Sequence, residues 1–479
     1  MSLLRNRPSA RYLTILLGSA ALAGCSMTPK YVRPDLPVQA AYPSYGEVGG
    51  QMAITVPQQT HLERDWRKFF TDPVLKELIA KALVNNRDLR ITALKVEEAR
   101  AGYRIERAEL LPSISAGADG NMQELPDELA FNRRQYRVGL FASAWEIDLW
   151  GRLRSESDAA LEAYLARDAT RQAAQMSLVA EVAIAYANFD ADTKMLRLAD
   201  RLIANLANQL TITAQLVDAG AVSRDLLETA QMDLQGAHAV REQLALVVER
   251  DRHALELLIA EPLPTGTLEA LATNDGADRE IAPARLAAGL PSELLTNRPD
   301  IVAAEHMLRS ANANIGAARA AFFPSISLTG MVGSASADLD GLFKSGSGAW
   351  SFAPRINLPL PIFQGSALGA NLDRAKIRQR IEVAAYEKSI QSAFREVADG
   401  LAGQAMIERR LLAQTRRAAS VEIRRKLAEQ RYTVGLDNRL AVLSAERTLI
   451  ETQQDITRVR LDRTTNVINL YKALGGGWE

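Results

Sequence analysis

Apolar and polar residues alternate at every second position in several short segments of the chain. In residues 136–144, Val138 and Leu140 lie on one side of an extended backbone and Arg137 lies on the other. A period of two is typical of a β-strand with one apolar face. The alternation predicts four strands, at about residues 113–120, 135–147, 325–333 and 350–360.

Long segments with a helical period follow each pair of predicted strands. Residues 152–218 contain neither proline nor glycine, and beyond them apolar residues recur at alternating steps of three and four between Leu227 and Leu258. This spacing indicates a coiled-coil seam. The pattern predicts two long helical hairpins, residues 151–260 and 365–474, which turn at Gly220 and Gly435.

The same order of elements occurs twice, which indicates internal duplication. Four pairs of landmarks keep a nearly constant offset: Asp88 and Asp300, Pro112 and Pro324, Gly151 and Gly365, and Gly220 and Gly435. The duplication predicts a first repeat at 71–260, a connector at 261–298, a second repeat at 299–474 and a tail at 475–479.

A proline in the phrase "PSIS" stands between helix and strand in each repeat, at Pro112 and Pro324. Proline disrupts a helix interior and bars the preceding residue from helical backbone angles. These residues therefore mark the joint from helix to strand. Four strands cannot close into a barrel, so we expect neighbouring copies to meet the open edges, giving eight strands in a dimer or twelve in a trimer.

The N-terminus is typical of an exported lipoprotein. Basic residues precede an apolar stretch, no acidic residue occurs before Asp35, and the stretch ends in "LAGC" at 22–25, which resembles the bacterial lipobox. We expect a signal peptide at 1–24, acyl chains on Cys25 and a lipidated extension at 25–70. The alternative is an ordinary signal peptide with a chance cysteine. Cys25 is the sole cysteine, so no disulfide is possible.

The net charge and the lack of catalytic motifs argue against several classes of function. The 57 basic and 57 acidic residues give a formal net charge of +0, which argues against nucleic acid as a partner. The four histidines are scattered, and no HExxH motif, cysteine pair or phosphate-binding loop occurs. We therefore predict no catalytic residues, no metal site, no cofactor and no enzyme activity. No segment beyond the signal peptide has the ~18 apolar residues of a membrane-spanning helix, so any bilayer crossing would use strands.

Several stretches resemble one family across nearly the whole mature chain. They are "CSMTPKYVRP" at 25–34, "FFTDPVLKELIAKAL" at 69–83, "LLTNRPDIVAAE" at 294–305, "ANANIGAARAAFFPSISLTG" at 311–330 and the turns around Gly220 and Gly435. They resemble the TolC-like outer membrane factors, in the lipoprotein branch of resistance-nodulation-division efflux systems. The resemblance implies an internally duplicated α+β membrane protein. It would be a trimer with a twelve-stranded outer-membrane β-barrel, four strands per protomer, continued by a long α-helical barrel through the periplasm, with the connector in the equatorial region.

The resemblance also implies where the site residues lie. The two turns would dock a periplasmic adaptor protein through Ala219, Gly220, Ala221, Val434, Gly435 and Leu436. A periplasmic gate would comprise Tyr432, Asp437, Arg439, Leu440 and Asp225. This chain departs from the family at the gate, because Asp437 replaces an arginine of some members, Ala441 and Ser444 replace aspartates, and Leu226 replaces an acid. The alternatives are plain helix connectors and charges that only solvate the helix ends.

The resulting hypothesis is the outer membrane channel of a tripartite efflux pump, lipid-anchored and passive. It would conduct small molecules once the adaptor and an inner-membrane resistance-nodulation-division transporter open it. One alternative is the exit duct of a type I protein secretion system. Another is an envelope coiled-coil lipoprotein that conducts nothing. The sequence does not indicate the cargo.

Overall fold

The computed structural model describes residues 26–39, 42, 65–123, 134–264, 281–283, 297–359 and 365–478. The predicted signal peptide, Cys25 and most of the predicted connector lie outside these residues. The helices are α1 (Trp66–Phe69), α2 (Pro73–Asn85), α3 (Arg87–Ala108), α4 (Arg152–Asp218), α5 (Arg224–Ile259), α6 (Pro299–Ala320), α7 (Gly365–Thr433) and α8 (Arg439–Ala473). The strands are β1 (Ile114–Met122), β2 (Arg134–Ile147), β3 (Ser325–Ser336) and β4 (Gly348–Asn357), and each overlaps a segment where alternation predicts one.

The four strands form one antiparallel sheet in the order β1-β2-β3-β4. The central β2–β3 ladder joins the two repeats, and it pairs Gly139 directly with Gly333. A register shift lies between Ala142 and Trp145, where Ala144 has a φ of 48°. Such a bulge bends the strand locally. Among the described residues, strands β1 and β4 are the edges of the sheet.

Tryptophans bind the carbonyl groups at both joints between helix and strand. The Trp145 Nε1–H donates to the Leu110 carbonyl oxygen at 3.3 Å, and the Trp150 Nε1–H donates to the Pro324 carbonyl oxygen at 2.8 Å. The Trp150 ring also stacks on Phe323, with 4.7 Å between centroids. These bonds give partners to carbonyl groups of the joints, just beyond the end of each helix.

The chain packs into two compact units, and each combines segments of both repeats. The strand unit comprises the residues up to Asp35 with Leu94–Ala169 and Val302–Lys388. The hairpin unit comprises Leu36–Ala93, Thr170–Ile301 and Ser389–Glu479. The first hairpin is formed by α4 and α5, and the second hairpin by α7 and α8. Both hairpin turns belong to the hairpin unit.

The main core of the hairpin unit is built on aromatic residues of α1 and α8. The Phe69 and Tyr471 rings stack with 3.7 Å between centroids, and Phe70 packs edge-on to both. Asp72 caps α2 through the Val74 and Leu75 amides and accepts a hydrogen bond from the Tyr186 hydroxyl at 3.2 Å. Leu263, Ile281 and Ala282 join this core. The predicted connector is thus partly a core segment.

The glycines at 475–477 differ from the prediction of a plain tail. All three are buried, and a Cβ on Gly476 would lie 2.2 Å from the Tyr471 ring. Gly475 and Gly477 have φ values of 85° and 100°, which glycine adopts without strain. These residues close the core after α8, a role that a glycine run in a sequence does not reveal.

Candidate functional site

Both hairpins end in the same type of glycine turn. In the first tip, the Ala221 amide donates to the Leu216 carbonyl at 2.8 Å and the Gly220 amide to the Val217 carbonyl at 2.9 Å. In the second tip, Leu436 and Gly435 donate to the carbonyls of Arg431 and Tyr432 at 2.8 and 3.0 Å. This pair of bonds is the Schellman motif, which places a left-handed residue just past the helix end.

The requirement for glycine at the tips is therefore conformational. Gly220 and Gly435 have φ values of 69° and 78°. A Cβ at either position would have no atom within 4 Å, so space is not the constraint.

The helices that follow the two turns begin differently. Asn438 caps α8 by accepting the Ala441 amide at 3.0 Å, whereas the Ser223 side chain makes no capping bond to α5.

The tip residues predicted to dock a partner are all exposed. Val434 and Leu436 are 69% and 68% exposed, and Ala219, Gly220 and Ala221 are exposed beside the other turn. Large apolar side chains at such exposure lose favourable burial energy unless something covers them. The tips thus present small and apolar residues on backbones fixed by hydrogen bonds.

The structure brings together most of the predicted gate residues on the second tip. The Asp437 carboxylate accepts from the Arg431 Nε–H at 2.5 Å. The Arg439 guanidinium lies 5.6 Å from the Tyr432 ring centroid and 3.5 Å from the Glu429 carboxylate. Leu440 follows at the start of α8 and is half-buried. The hydrogen bond and charge of Asp437 raise the pKa of the Arg431 guanidinium above its usual value.

Arg431 and Glu429 complete this cluster and are absent from the sequence-based prediction. Both lie on the last turns of α7, where exposed charges are common and carry no special spacing. Asp225 is separate from the cluster. It lies exposed in the first turn of α5, and within the described residues no hydrogen bond or ion pair joins it to the second tip. Its place in the same gate remains a prediction.

Residues directly after Cys25 form a strap along α6 in the strand unit. The Arg319 side chain donates to the Met27 carbonyl at 3.3 Å, and Asn312 donates to the Pro29 carbonyl at 2.8 Å. The strap therefore runs antiparallel to α6. A Cβ on Gly316 would lie 2.1 Å from the Thr28 Oγ1 atom, so the strap approaches α6 at a glycine. Sequence reasoning identifies these residues only as a lipoprotein segment.

Glu305 anchors the other end of the strap. Its buried carboxylate pairs with the guanidinium of Arg33, accepts from the Tyr31 hydroxyl at 3.3 Å and pairs with Arg309 at 2.7 Å. Burial alone would raise the pKa of Glu305. The hydrogen bonds and charges of Arg33 and Arg309 outweigh burial and lower this pKa below its usual range. The strap is thus held by charge-assisted hydrogen bonds.

No group of three or more His, Cys, Asp or Glu residues could hold a metal ion within the part of the chain that the structure describes. None of the helices described is long and apolar enough to span a membrane.

Two duplicated helical hairpins with matching exposed tips, attached to a shared antiparallel sheet, define a protein of the outer membrane channel class. A family model described as "Outer membrane efflux protein" matches residues 78–261 and 290–476. The chain belongs to this family.

Two relatives and a solved structure are similar to this chain over nearly its whole length. The chain is 46% identical to the toluene efflux pump outer membrane protein TtgF of Pseudomonas putida, over 98% of this chain and 97% of the relative. It is 41% identical to the antibiotic efflux pump outer membrane protein ArpC of Pseudomonas putida, over 97% and 95%. The open-state structure of the MtrE outer membrane channel of Neisseria gonorrhoeae matches with a TM-score of 0.80 at 36% identity, covering 95% of this chain and 99% of MtrE.

These matches confirm the predicted family, the TolC-like fold, the efflux function and the outer membrane location. They favour efflux over the protein-secretion duct and over the coiled-coil spacer. Both relatives are named as outer membrane proteins of efflux pumps, and neither is named as an enzyme.

Proposed function

We propose that three copies of this chain form a passive duct that carries small molecules from the periplasm through the outer membrane. The observation that carries the proposal is the pair of matching tips, with exposed apolar residues held on rigid glycine turns. The duct itself has no catalytic role and no cofactor. Energy and cargo selection would come from an inner-membrane resistance-nodulation-division transporter, linked by a periplasmic adaptor protein that docks at the tips.

Two surfaces that have no partner among the described residues support assembly from several copies. Strands β1 and β4 leave open edges on the four-stranded sheet, and open edges are ready to pair with another chain. Helix α3 has no buried residue, and its Ile91, Leu94 and Ile105 are exposed. A neighbouring copy that pairs at the sheet edge would also cover α3. Three copies would supply the twelve strands of a closed barrel, continued by the helices as the periplasmic barrel.

The strap supports lipidation of Cys25. Met27, two residues after Cys25 in the sequence, lies beside Arg319 on the last turn of α6. That turn leads into Phe322 and Phe323, at the joint where strand β3 begins. Acyl chains on Cys25 would then enter the outer membrane near the base of the strands. Each buried methylene of such a chain adds about 0.8 kcal/mol of membrane affinity.

The cargo class follows from the names of the relatives. TtgF is named for toluene and ArpC for antibiotics. We therefore include aromatic solvents and antibiotics among the cargo of this duct.

Replacing Leu436 by Glu is expected to abolish efflux, because a charge on the exposed apolar tip prevents an adaptor from covering it. The measurement is accumulation of dyes, antibiotics and toluene in cells that lack this gene and carry the wild-type chain or a variant. Phe343→Glu is the matched control, since Phe343 is also exposed and apolar but lies in the β3–β4 connection. Wild type and Phe343→Glu should restore low accumulation. Equal rescue by Leu436→Glu would contradict docking at the tip, and no rescue by wild type would contradict the efflux duct.

The residues gathered at the second tip are proposed as the constriction of the duct; this tip cluster comprises Glu429, Arg431, Tyr432, Asp437, Arg439 and Leu440. Tyr432 packs under Arg439 and Asp437 holds Arg431, so these contacts fix side chains where the second hairpin ends. Replacing Tyr432 and Asp437 together by Ala is expected to raise single-channel conductance in planar bilayers, because both the bulk and the ion pair are lost. Arg224→Ala, which removes an exposed charge of the first tip, is the control. Unchanged conductance in the double variant would contradict the assignment.

A further inference from the structure

A groove of about 710 Å³ lies in the strand unit, lined by the start of α4, by α6 and by the N-terminal part of α7. Helix α6 contributes mostly small side chains to it, namely Ala311, Ala317, Ala318 and Ala321. Because methyl groups fill little space, α6 leaves a recess between its two neighbours. The charged groups of the groove come from α4 and α7. We call this recess the wall groove.

The wall groove and the strap lie on opposite faces of α6. The strap contacts α6 at Glu305, Asn312 and Gly316, whereas Asn314 lines the wall groove. An α-helix turns about 100° per residue, so Asn314 lies about 160–180° around the helix axis from each of these three contacts. The side of α6 that bears the strap is therefore not the side that bears the groove.

This arrangement gives the wall groove a direction within the proposed duct. Acyl chains on Cys25 have to reach the bilayer, and the bilayer surrounds a β-barrel on its outside. The strap that continues from Cys25 would then run along the outer wall. The opposite face of α6 would face the interior of the duct, and three copies would place three wall grooves around that interior.

Two arginines of α7 give the wall groove its available positive charge. Arg152 also lines the groove, but it already pairs with Glu146 at 2.7 Å and with Glu156 at 2.9 Å. Arg374 and Arg378 are exposed, and within the described residues neither makes a hydrogen bond or an ion pair. They are four residues apart on one helix, so both face the same groove.

Apolar side chains lie beside these arginines. Met307 of α6 and Ile381 of α7 line the wall groove and are 39% and 58% exposed. An aromatic or aliphatic group that covered them would gain burial energy. The guanidinium fork of arginine matches the geometry of a carboxylate or sulfonate. The groove thus combines the two features that an amphipathic anion requires.

We propose that the wall groove is a binding site in the duct wall for amphipathic organic anions, molecules that carry a carboxylate or sulfonate beside an aromatic part. Arg374 and Arg378 bind the anionic group, and Met307 and Ile381 cover the apolar part. Glu382 also lines the groove, one turn beyond Arg378, and weakens the binding. Weak binding suits a conduit, because cargo has to leave each site that it enters. The inference rests on the proposed function and adds a charge class to the cargo.

The test is single-channel recording of the full-length, membrane-assembled protein in planar bilayers, with naphthalenesulfonate added on both sides. This aromatic anion is expected to reduce the wild-type current reversibly. In Arg374→Gln with Arg378→Gln, the concentration for half-maximal block is expected to rise about tenfold, the loss of two exposed ion pairs. Glu382→Gln is expected to lower it about threefold, because a nearby negative charge is removed.

Two controls separate a site from a general effect of charge. Lys376→Gln with Arg380→Gln removes two positive charges from the same turns of α7, but neither residue lines the wall groove. This control should be blocked like wild type. N-methylquinolinium has a fused aromatic system of similar size and a positive charge, and it should block the wild-type channel much more weakly than naphthalenesulfonate.

Several results would overturn the binding site. They are wild-type block in the Arg374 and Arg378 variant, an equally weakened block in the Lys376 and Arg380 control, and equal block of wild type by N-methylquinolinium. Loss of the heat-resistant oligomer in the arginine variant would also overturn it, because the two arginines would then hold copies together. In all of these cases a wild-type chain that lowers accumulation in the deletion strain leaves the duct standing. A wild-type chain that neither conducts nor lowers accumulation would overturn both proposals.

Discussion

Replacing Gly139 by Val is expected to prevent assembly of the strand unit in the outer membrane. Gly139 faces Gly333 across the β2–β3 ladder, the pairing that joins the two repeats. A Cβ at Gly139 would lie 2.3 Å from the Val332 carbonyl oxygen and 2.8 Å from the Gly333 Cα atom. Both contacts are with backbone, which cannot move aside without breaking ladder hydrogen bonds. The steric clash therefore destabilises the β2–β3 pairing, on which the whole four-stranded sheet depends.

The effect is measured as the amount of heat-resistant oligomer in isolated outer membranes. Gly330→Val is the matched control on strand β3, because a Cβ there would meet its nearest atom, the Ser351 carbonyl oxygen, at an ordinary 3.5 Å. We expect near-complete loss for Gly139→Val and near-normal assembly for Gly330→Val. Normal assembly of Gly139→Val would show that the two strands do not approach this closely.

The strands could be predicted from sequence, but their close approach could not. Alternation of residues such as Val138 and Leu140 reports which segments are extended and which face is apolar. It does not report register, so nothing in the sequence pairs Gly139 with Gly333. The tips were easier to predict, because a lone glycine between two long helical patterns indicates a left-handed turn. The structure then explains why both turns need glycine: the same two hydrogen bonds at each tip hold that residue in the left-handed region.

The charged contacts are the part that sequence reasoning missed. Asp233 and Arg447 lie 214 residues apart, and each is one exposed charge among many on a long helix. No local spacing distinguishes a charge that bonds another hairpin from one that is only solvated. The contacts of the strap at 26–33 could not be predicted for a similar reason. Its bonds to Asn312 and Arg319 use backbone carbonyls, which every residue has.

Replacing Arg298 by Met is expected to destabilise the hairpin unit by about 3 kcal/mol, the lower end of the range for breaking a buried ion pair. Arg298 is 3% exposed, and its guanidinium holds three elements together. It donates to the Ala473 carbonyl at the end of α8 at 2.6 Å, to both oxygens of Asp300 at 3.0 and 2.7 Å, and to Glu396 of α7 at 3.0 Å. Asp300 and Glu396 are partly exposed, so water recovers part of their loss.

The measurement is thermal unfolding of the detergent-purified protein, with Arg298→Lys and Arg410→Met as comparisons. Lysine keeps the charge but has no planar fork, so it cannot bond Asp300 through two nitrogens while also reaching Ala473, and we expect an intermediate loss. Arg410 makes one exposed pair with Asp462, so Arg410→Met should cost about 1 kcal/mol or less. If Arg298→Met and Arg410→Met lowered the unfolding temperature equally, burial and multiple bonding would not be what gives Arg298 its effect. A large loss at Arg298 alone would show that this buried guanidinium ties the start of α6 to both helices of the second hairpin.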